Sequence, residues 1–141
     1  MPITKGHKQL VAEANAIIET WSVETAMARL GDPDVLFVDI RDVRELWRDG
    51  GIPGALHAPR GMLEFWVDPE SPYYREVFGS GKRFVFFCAG GLRSALATAE
   101  VQRMGLSPVC HIAGGFGAWK KAGGAVEAKE PPPPEKPEKK D

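Results

Sequence analysis

The chain has 141 residues, of which 43% are hydrophobic and 26% charged, and its formal net charge is -1. This length and composition are typical of one soluble globular domain with short extensions, and the balanced charge argues against a broad nucleic-acid-binding surface. No apolar run approaches the ~20 residues of a membrane helix, and residues 1–9 lack the apolar core of a secretion signal. We therefore expect a cytoplasmic protein with no membrane or nucleic-acid partner.

The first predicted elements are two helices. Apolar residues recur at helical spacing over residues 7–19, which predicts an amphipathic helix in an N-terminal extension of residues 1–20. Ser22 is a typical N-cap for a second helix, and Gly31 is a typical residue to end it. The main domain is therefore expected to begin near residue 21.

Short, mostly apolar runs follow, separated by helical or glycine-rich segments. They cover residues 35–39, 55–57, 83–88 and 108–112. Apolar runs without alternation, interleaved with helices, are typical of parallel strands that are buried on both faces. The sequence thus predicts an α/β domain over residues 21–126, in which a mostly parallel sheet is flanked by helices in three layers.

The last segment, residues 127–141, contains four consecutive prolines and no aromatic or large apolar residue. Such a segment rich in proline, lysine and glutamate cannot form a packed core, so we expect a disordered tail. A ligand for a proline-recognising domain is the alternative interpretation.

Only two cysteines occur, Cys88 and Cys110, and both lie in strand-like runs. This usage predicts reduced thiols and not a disulfide framework. The three histidines, His7, His57 and His111, show no metal-ligand spacing, so we predict no metal site and no cofactor. Cys110 is expected to pack in the core, and His57 and His111 to be structural.

Cys88 differs from Cys110 because it ends its strand run and is followed by Gly90, Gly91 and Arg93 at the start of a predicted helix. Ligands of parallel sheets bind at the carboxyl ends of the strands. Glycine-rich amides, a helix N-terminus and an arginine form an anion cradle that should favour the thiolate. Cys88 is therefore the candidate nucleophile, and a buried core cysteine is the structural alternative.

Several neighbours of Cys88 are candidate binding residues. The backbone amides expected to hold an anionic substrate are those of Ala89, Gly90, Gly91, Leu92 and Arg93. The Arg93 side chain is expected to orient that anion, and Ser94 to support the loop. Asp39 is expected to be structural, whereas Arg41 either pairs with Asp39 or attracts the anion.

Several motifs together resemble the rhodanese family of sulfurtransferases, specifically its single-domain members, over roughly residues 20–125. Cys88, Gly91 and Arg93 fall on the family's catalytic-loop positions. The other matching features are the strand end VDIR through Asp39 and Arg41, Glu45, GIPGA at 51–55 and GGFGAW at 114–119. The chain departs from the family at Gly50-Gly51, where a Gly-His pair is usual.

The resemblance implies a thiosulfate sulfurtransferase with a rhodanese-like fold and Cys88 as the catalytic cysteine. The Cys88 thiolate would take sulfane sulfur from thiosulfate or a persulfide donor, and the resulting persulfide would pass it to a thiol or thioredoxin-like acceptor. The alternatives are a non-catalytic persulfide carrier or protein-binding module, and a cysteine-dependent phosphatase or arsenate reductase. The last two use a loop one residue longer than the six positions from Cys88 to Arg93, counting both ends.

Overall fold

The computed structural model describes residues 2–133, and its elements alternate between helices and strands. The helices are α1 (His7–Ile17), α2 (Val23–Ala28), α3 (Val43–Asp49), α4 (Leu63–Val67), α5 (Leu92–Arg103) and α6 (Gly115–Lys121). The strands are β1 (Glu19–Trp21), β2 (Val35–Asp39), β3 (Leu56–His57), β4 (Arg83–Phe87) and β5 (Val109–Ile112). Short 3-10 turns lie at Arg60–Met62 and Glu76–Gly79. None of the helices between residues 2 and 133 is long and apolar enough to cross a membrane.

The five strands form one parallel sheet in the order β1-β5-β4-β2-β3. In this register Phe87 of β4 lies opposite Asp39 of β2, and Phe86 lies opposite His111 of β5. The carboxyl ends of the three central strands therefore meet at one edge of the sheet. The predicted α/β architecture with a parallel sheet between helices is confirmed.

Strand β4 shows why the apolar runs do not alternate with polar residues. Phe84 and Phe86 belong to the buried cluster that includes residues of α4 and α5. Val85 and Phe87 belong to the opposite cluster, which includes residues of α2 and α6. All four side chains are at most 1% exposed, and each buried phenylalanine contributes roughly 1.5–3 kcal/mol of hydrophobic stabilisation.

The first predicted helix is shorter in the structure than the predicted range of 7–19. It ends at Ile17, because Glu19–Trp21 forms the edge strand β1 alongside β5. This strand has three residues, of which only Trp21 is buried, so it carries no distinctive apolar run. The second helix begins as predicted, with the Ser22 side chain accepting a hydrogen bond from the Thr25 amide at 3.1 Å.

The chain after α6 returns to the domain. Glu127, the first residue of the predicted tail, exchanges two backbone hydrogen bonds with Gly51, at 2.9 and 2.8 Å. The prediction of disorder for residues 134–141 lies outside the described residues.

Candidate functional site

The Cys88 sulfur lies just beyond the end of β4, in the turn that leads to α5. Gly91 adopts the left-handed conformation, with φ at 96°, and directs its amide back toward the sulfur. Cys88 Sγ accepts hydrogen bonds from the amides of Gly91 at 3.2 Å and Ser94 at 3.3 Å. Cys88 is 1% exposed, so these two donors stabilise negative charge on a sulfur that water scarcely reaches.

These contacts differ in part from the expected cradle. Of the amides of residues 89–93, that of Gly91 donates a hydrogen bond to the sulfur in this structure. The second donor is the amide of Ser94, one residue beyond that range. Ser94, predicted to support the loop, therefore contacts the Cys88 sulfur directly. The side chain of Leu92 is 56% exposed beside the loop.

The glycine-rich N-terminus of α6 holds the backbone of the cysteine loop. The amide of Phe116 donates to the Cys88 carbonyl at 2.8 Å, and that of Gly117 donates to the Ala89 carbonyl at 3.0 Å. Gly115 has a φ of 61°, and a Cβ at this position would collide with the Cys88 carbonyl oxygen. Glycine is thus required here for both the backbone conformation and the close approach of the start of α6 to the cysteine loop.

Arg93 is paired with a carboxylate in this structure. Its guanidinium donates to both oxygens of Glu45, at 2.7 and 3.0 Å. Glu45 lies in the first turn of α3, where it also forms a capping box with Asp42. The hydrogen bond with Arg93 is the main cause that lowers the pKa of Glu45. The same bond raises the pKa of Arg93, with a smaller contribution from Cys88. If Arg93 orients an anionic substrate as predicted, its guanidinium does so while it is hydrogen-bonded to Glu45.

Arg41 lies in the floor of the site and not on its surface. Its guanidinium donates to Asp39 Oδ2 and to the Gly50 carbonyl, both at 2.7 Å, and lies 4.4 Å from the centre of the Phe116 ring. Asp39 and Arg41 are each 1% exposed. Of the two roles considered for Arg41, the structure favours the one in which it braces the strand end.

A line of side chains leads away from the sulfur. Ser94 Oγ lies 3.5 Å from Cys88 Sγ and 2.9 Å from His111 Nδ1, and His111 Nε2 lies 3.1 Å from Asn15 Oδ1. His111 is 3% exposed, and burial lowers its pKa. The sequence interpretation of His111 as structural missed this contact. The sequence feature that could have indicated this contact is that His111 lies near the end of the strand run that follows the run of Cys88. Neighbouring parallel strands end at the same edge of a sheet, so the two side chains can meet there.

His57 and Cys110, which the sequence predicted to be structural, have other surroundings. His57 Nε2 lies 2.7 Å from the backbone carbonyl of Arg41. Cys110 is fully buried within β5, and burial is the main cause that raises its pKa to about 12. Residues 2–133 contain no group of three histidine, cysteine or acidic side chains placed to hold a metal ion.

A cavity of about 300 Å³ opens between α1 and the cysteine loop. Its lining includes Asn15, Gly90, Leu92, His111 and Gly114. The N-terminal helix thus contributes a wall next to the loop, although the sequence placed it in an extension outside the main domain.

Comparison with known proteins is consistent with this geometry. Residues 22–122 match the family model described as Rhodanese-like domain. A sulfurtransferase of Allochromatium vinosum is 35% identical over 108 residues, which cover 76% of this chain and 92% of that protein. The thiosulfate sulfurtransferase/rhodanese-like domain-containing protein 3 of Mus musculus is 28% identical over 95 residues, and the match covers 64% of this chain and 60% of that protein.

Among solved structures, a protein from Rhodopseudomonas palustris is similar over nearly the whole chain. It is 56% identical with a TM-score of 0.88, and the match covers 90% of this chain and 98% of that one. That protein is described as of unknown function and as a possible tyrosine phosphatase.

Proposed function

The chain belongs to the rhodanese family, and on this premise we propose that it is a sulfurtransferase that carries sulfane sulfur as a persulfide on Cys88. The observation that supports this most directly is the pair of amides, from Gly91 and Ser94, that donate to Cys88 Sγ. Such donors stabilise the thiolate that attacks and the charge that develops on sulfur during transfer.

In the first half of the proposed reaction, the Cys88 thiolate attacks the outer sulfur of thiosulfate. A new sulfur–sulfur bond forms to Cys88, the bond between the two thiosulfate sulfurs breaks, and sulfite leaves with the electron pair. A low-molecular-weight persulfide would react in the same way and release a thiolate. The terminal persulfide sulfur then lies in the environment of the loop amides.

In the second half, the thiolate of an acceptor attacks the terminal sulfur, and Cys88 leaves as a thiolate. The acceptor is a small thiol or a thioredoxin-like protein thiol, and cyanide serves as a laboratory acceptor. Arg93 supplies positive charge beside the site while Glu45 holds its guanidinium at 2.7 and 3.0 Å. An anionic donor therefore meets a guanidinium whose position is already fixed and whose charge is partly compensated by Glu45.

A phosphatase is the second candidate, because the similar Rhodopseudomonas palustris protein is described as a possible tyrosine phosphatase. The loop argues against it. Six positions from Cys88 to Arg93 leave less room than a loop one residue longer for a tetrahedral phosphate. A persulfide carrier that does not turn over is the remaining alternative.

Intact-mass analysis of the purified chain distinguishes these functions. Incubation with thiosulfate should add one sulfur atom to the wild type and to Cys110→Ser, but none to Cys88→Ser. Added cyanide should then remove that sulfur repeatedly and yield thiocyanate. Sulfur loading without turnover, tested also with small thiols and thioredoxin, would assign a carrier. Hydrolysis of a tyrosine phosphopeptide without sulfur loading would assign a phosphatase.

A further inference from the structure

Four side chains from different elements form one hydrogen-bonded line at the site. It runs from Cys88 after β4, through Ser94 on α5 and His111 on β5, to Asn15 on α1. We propose that this line is a proton relay, in which Ser94 passes the thiol proton of Cys88 to His111 and Asn15 positions the imidazole. The proposal rests on the proposed role of Cys88 as the nucleophile and adds how its proton is removed.

The hydrogen-bond partners determine which nitrogen of His111 accepts the proton. Asn15 presents its carbonyl oxygen, Oδ1, to Nε2 at 3.1 Å, so Nε2 carries the ring hydrogen and donates it. Nδ1 is then an acceptor, and it receives the hydroxyl hydrogen of Ser94 at 2.9 Å. The Ser94 oxygen in turn accepts the thiol hydrogen of Cys88 across 3.5 Å. Every hydrogen between the thiol and the imidazole in the resting state thus points from Cys88 toward His111.

Proton transfer along this line needs no movement of heavy atoms. The S–H bond of Cys88 breaks as an O–H bond forms on Ser94, and the original O–H bond breaks as an N–H bond forms at His111 Nδ1. The products are a Cys88 thiolate and a His111 imidazolium. Ser94 then donates to the thiolate and accepts from the imidazolium, so each hydrogen bond is retained with its direction reversed.

The surroundings of His111 keep it neutral before the transfer. Uncharged side chains face it from the adjoining elements: Asn15 from α1, Thr20 from β1, Phe86 from β4 and Ser94 from α5. Burial is the cause that lowers its pKa. The charges beside Cys88 are the Arg93 guanidinium and, behind it, Glu45. Because the same burial disfavours the imidazolium, the new cation depends on stabilisation by the thiolate, by the Ser94 hydroxyl that accepts from Nδ1 and by the Asn15 carbonyl that accepts from Nε2.

Helix α1 is part of this arrangement, although residue 15 precedes the matched family residues 22–122. The cavity between α1 and the cysteine loop is lined by both Asn15 and His111. The cavity provides a route by which the proton on His111 exchanges with solvent. The N-terminal helix therefore has a chemical contribution in addition to its packing against α5.

The pH profile of Cys88 alkylation by iodoacetamide, read by peptide mass spectrometry, tests the relay. We expect Ser94→Ala and His111→Gln each to raise the midpoint of the profile by roughly one pH unit, about tenfold in rate below the midpoint. The double variant should shift no further, because both changes interrupt the same line. His57→Gln is the matched control and should leave the profile unchanged. Unshifted profiles in both single variants, or fully additive shifts in the double variant, would overturn the relay.

A pair of variants at Asn15 separates proton transfer from a purely structural contact. Asn15→Asp places a carboxylate on His111 Nε2, stabilises the imidazolium and should lower the alkylation midpoint. Asn15→Leu removes the acceptor and should raise it. Shifts in the same direction, or none, would contradict the proposal even if His111→Gln failed to fold. Alkylation requires no sulfur donor, so a loss of the proposed function and a loss of the relay give different results.

Discussion

The two cysteines of this chain are almost equally buried, at 1% exposure for Cys88 and 0% for Cys110, but their surroundings differ. Cys110 lies inside β5, where the backbone is engaged in the sheet and burial raises its pKa to about 12. Cys88 lies one residue beyond β4, where the amides of Gly91 and Ser94 donate to its sulfur and the Ser94 hydroxyl oxygen lies 3.5 Å from it. Two thiols with the same burial thus differ in their hydrogen-bond donors, because a strand end directs amides at a sulfur and a strand interior does not.

The largest expected effect comes from replacing one of the two cysteines at a time. Cys88→Ser should reduce thiosulfate-dependent thiocyanate formation to background, because a serine hydroxyl cannot form a persulfide. Cys110→Ser should retain the activity, with at most a change in stability. More than trace activity in Cys88→Ser would reject Cys88 as the sulfur carrier.

Alkylation of the folded wild type at neutral pH should show a very large selectivity for Cys88. A thiol with a pKa of about 12 is ionised to only about one part in 10⁵ at pH 7. Cys110 should therefore react only when the pH approaches this pKa or when the protein unfolds. Thiosulfate should protect Cys88, and inorganic phosphate should protect it poorly. Equal protection by the two anions would favour the phosphatase.

A substitution at Gly115 tests whether the N-terminus of α6 holds the Cys88 backbone in place. Gly115→Ala introduces a Cβ against the Cys88 carbonyl at a φ of 61°, and should cost about 1–3 kcal/mol and slow Cys88 alkylation. Gly123→Ala is the control, because Gly123 has a φ of 86° and no atom lies within 4 Å of where its Cβ would be. Equal stability loss and equal alkylation in the two variants, measured by denaturation and mass spectrometry, would show that the contact with Cys88 is unimportant.

The smallest expected effect concerns the pair of Glu45 with Arg93. The pKa of Glu45 is lower in the folded chain than its usual value, so its stabilisation is present above that usual value and is lost as pH falls. Glu45→Gln should therefore destabilise the protein at pH 7 by up to about 1 kcal/mol and by less at pH 3. Glu64→Gln, which breaks the Arg60 pair, is a control away from the cysteine loop. A stability difference between Glu45→Gln and wild type that does not change with pH would contradict this assignment.

The strand, the turn and the helix around Cys88 could all be predicted from the amino-acid sequence. The apolar run of β4 indicates a strand buried on both faces, and the order of glycines and arginine after it indicates an anion-binding turn. These features are local, since backbone conformation and burial depend on residues adjacent in the chain. The same locality explains why the short edge strand β1 was missed, because its pairing with β5 supplies its stability.

The set of side chains that meet around the sulfur, in contrast, emerges only when the chain is folded. Glu45 and Arg93 are 48 positions apart, and Asn15 and His111 are 96 apart. No local pattern encodes such contacts, because they depend on the strand order that places β5 beside β4 and on the packing of α1 against α5. The sequence also left open whether Arg41 pairs with Asp39 or attracts an anion, and the fold favours the pair by burying the guanidinium against Asp39 and Phe116.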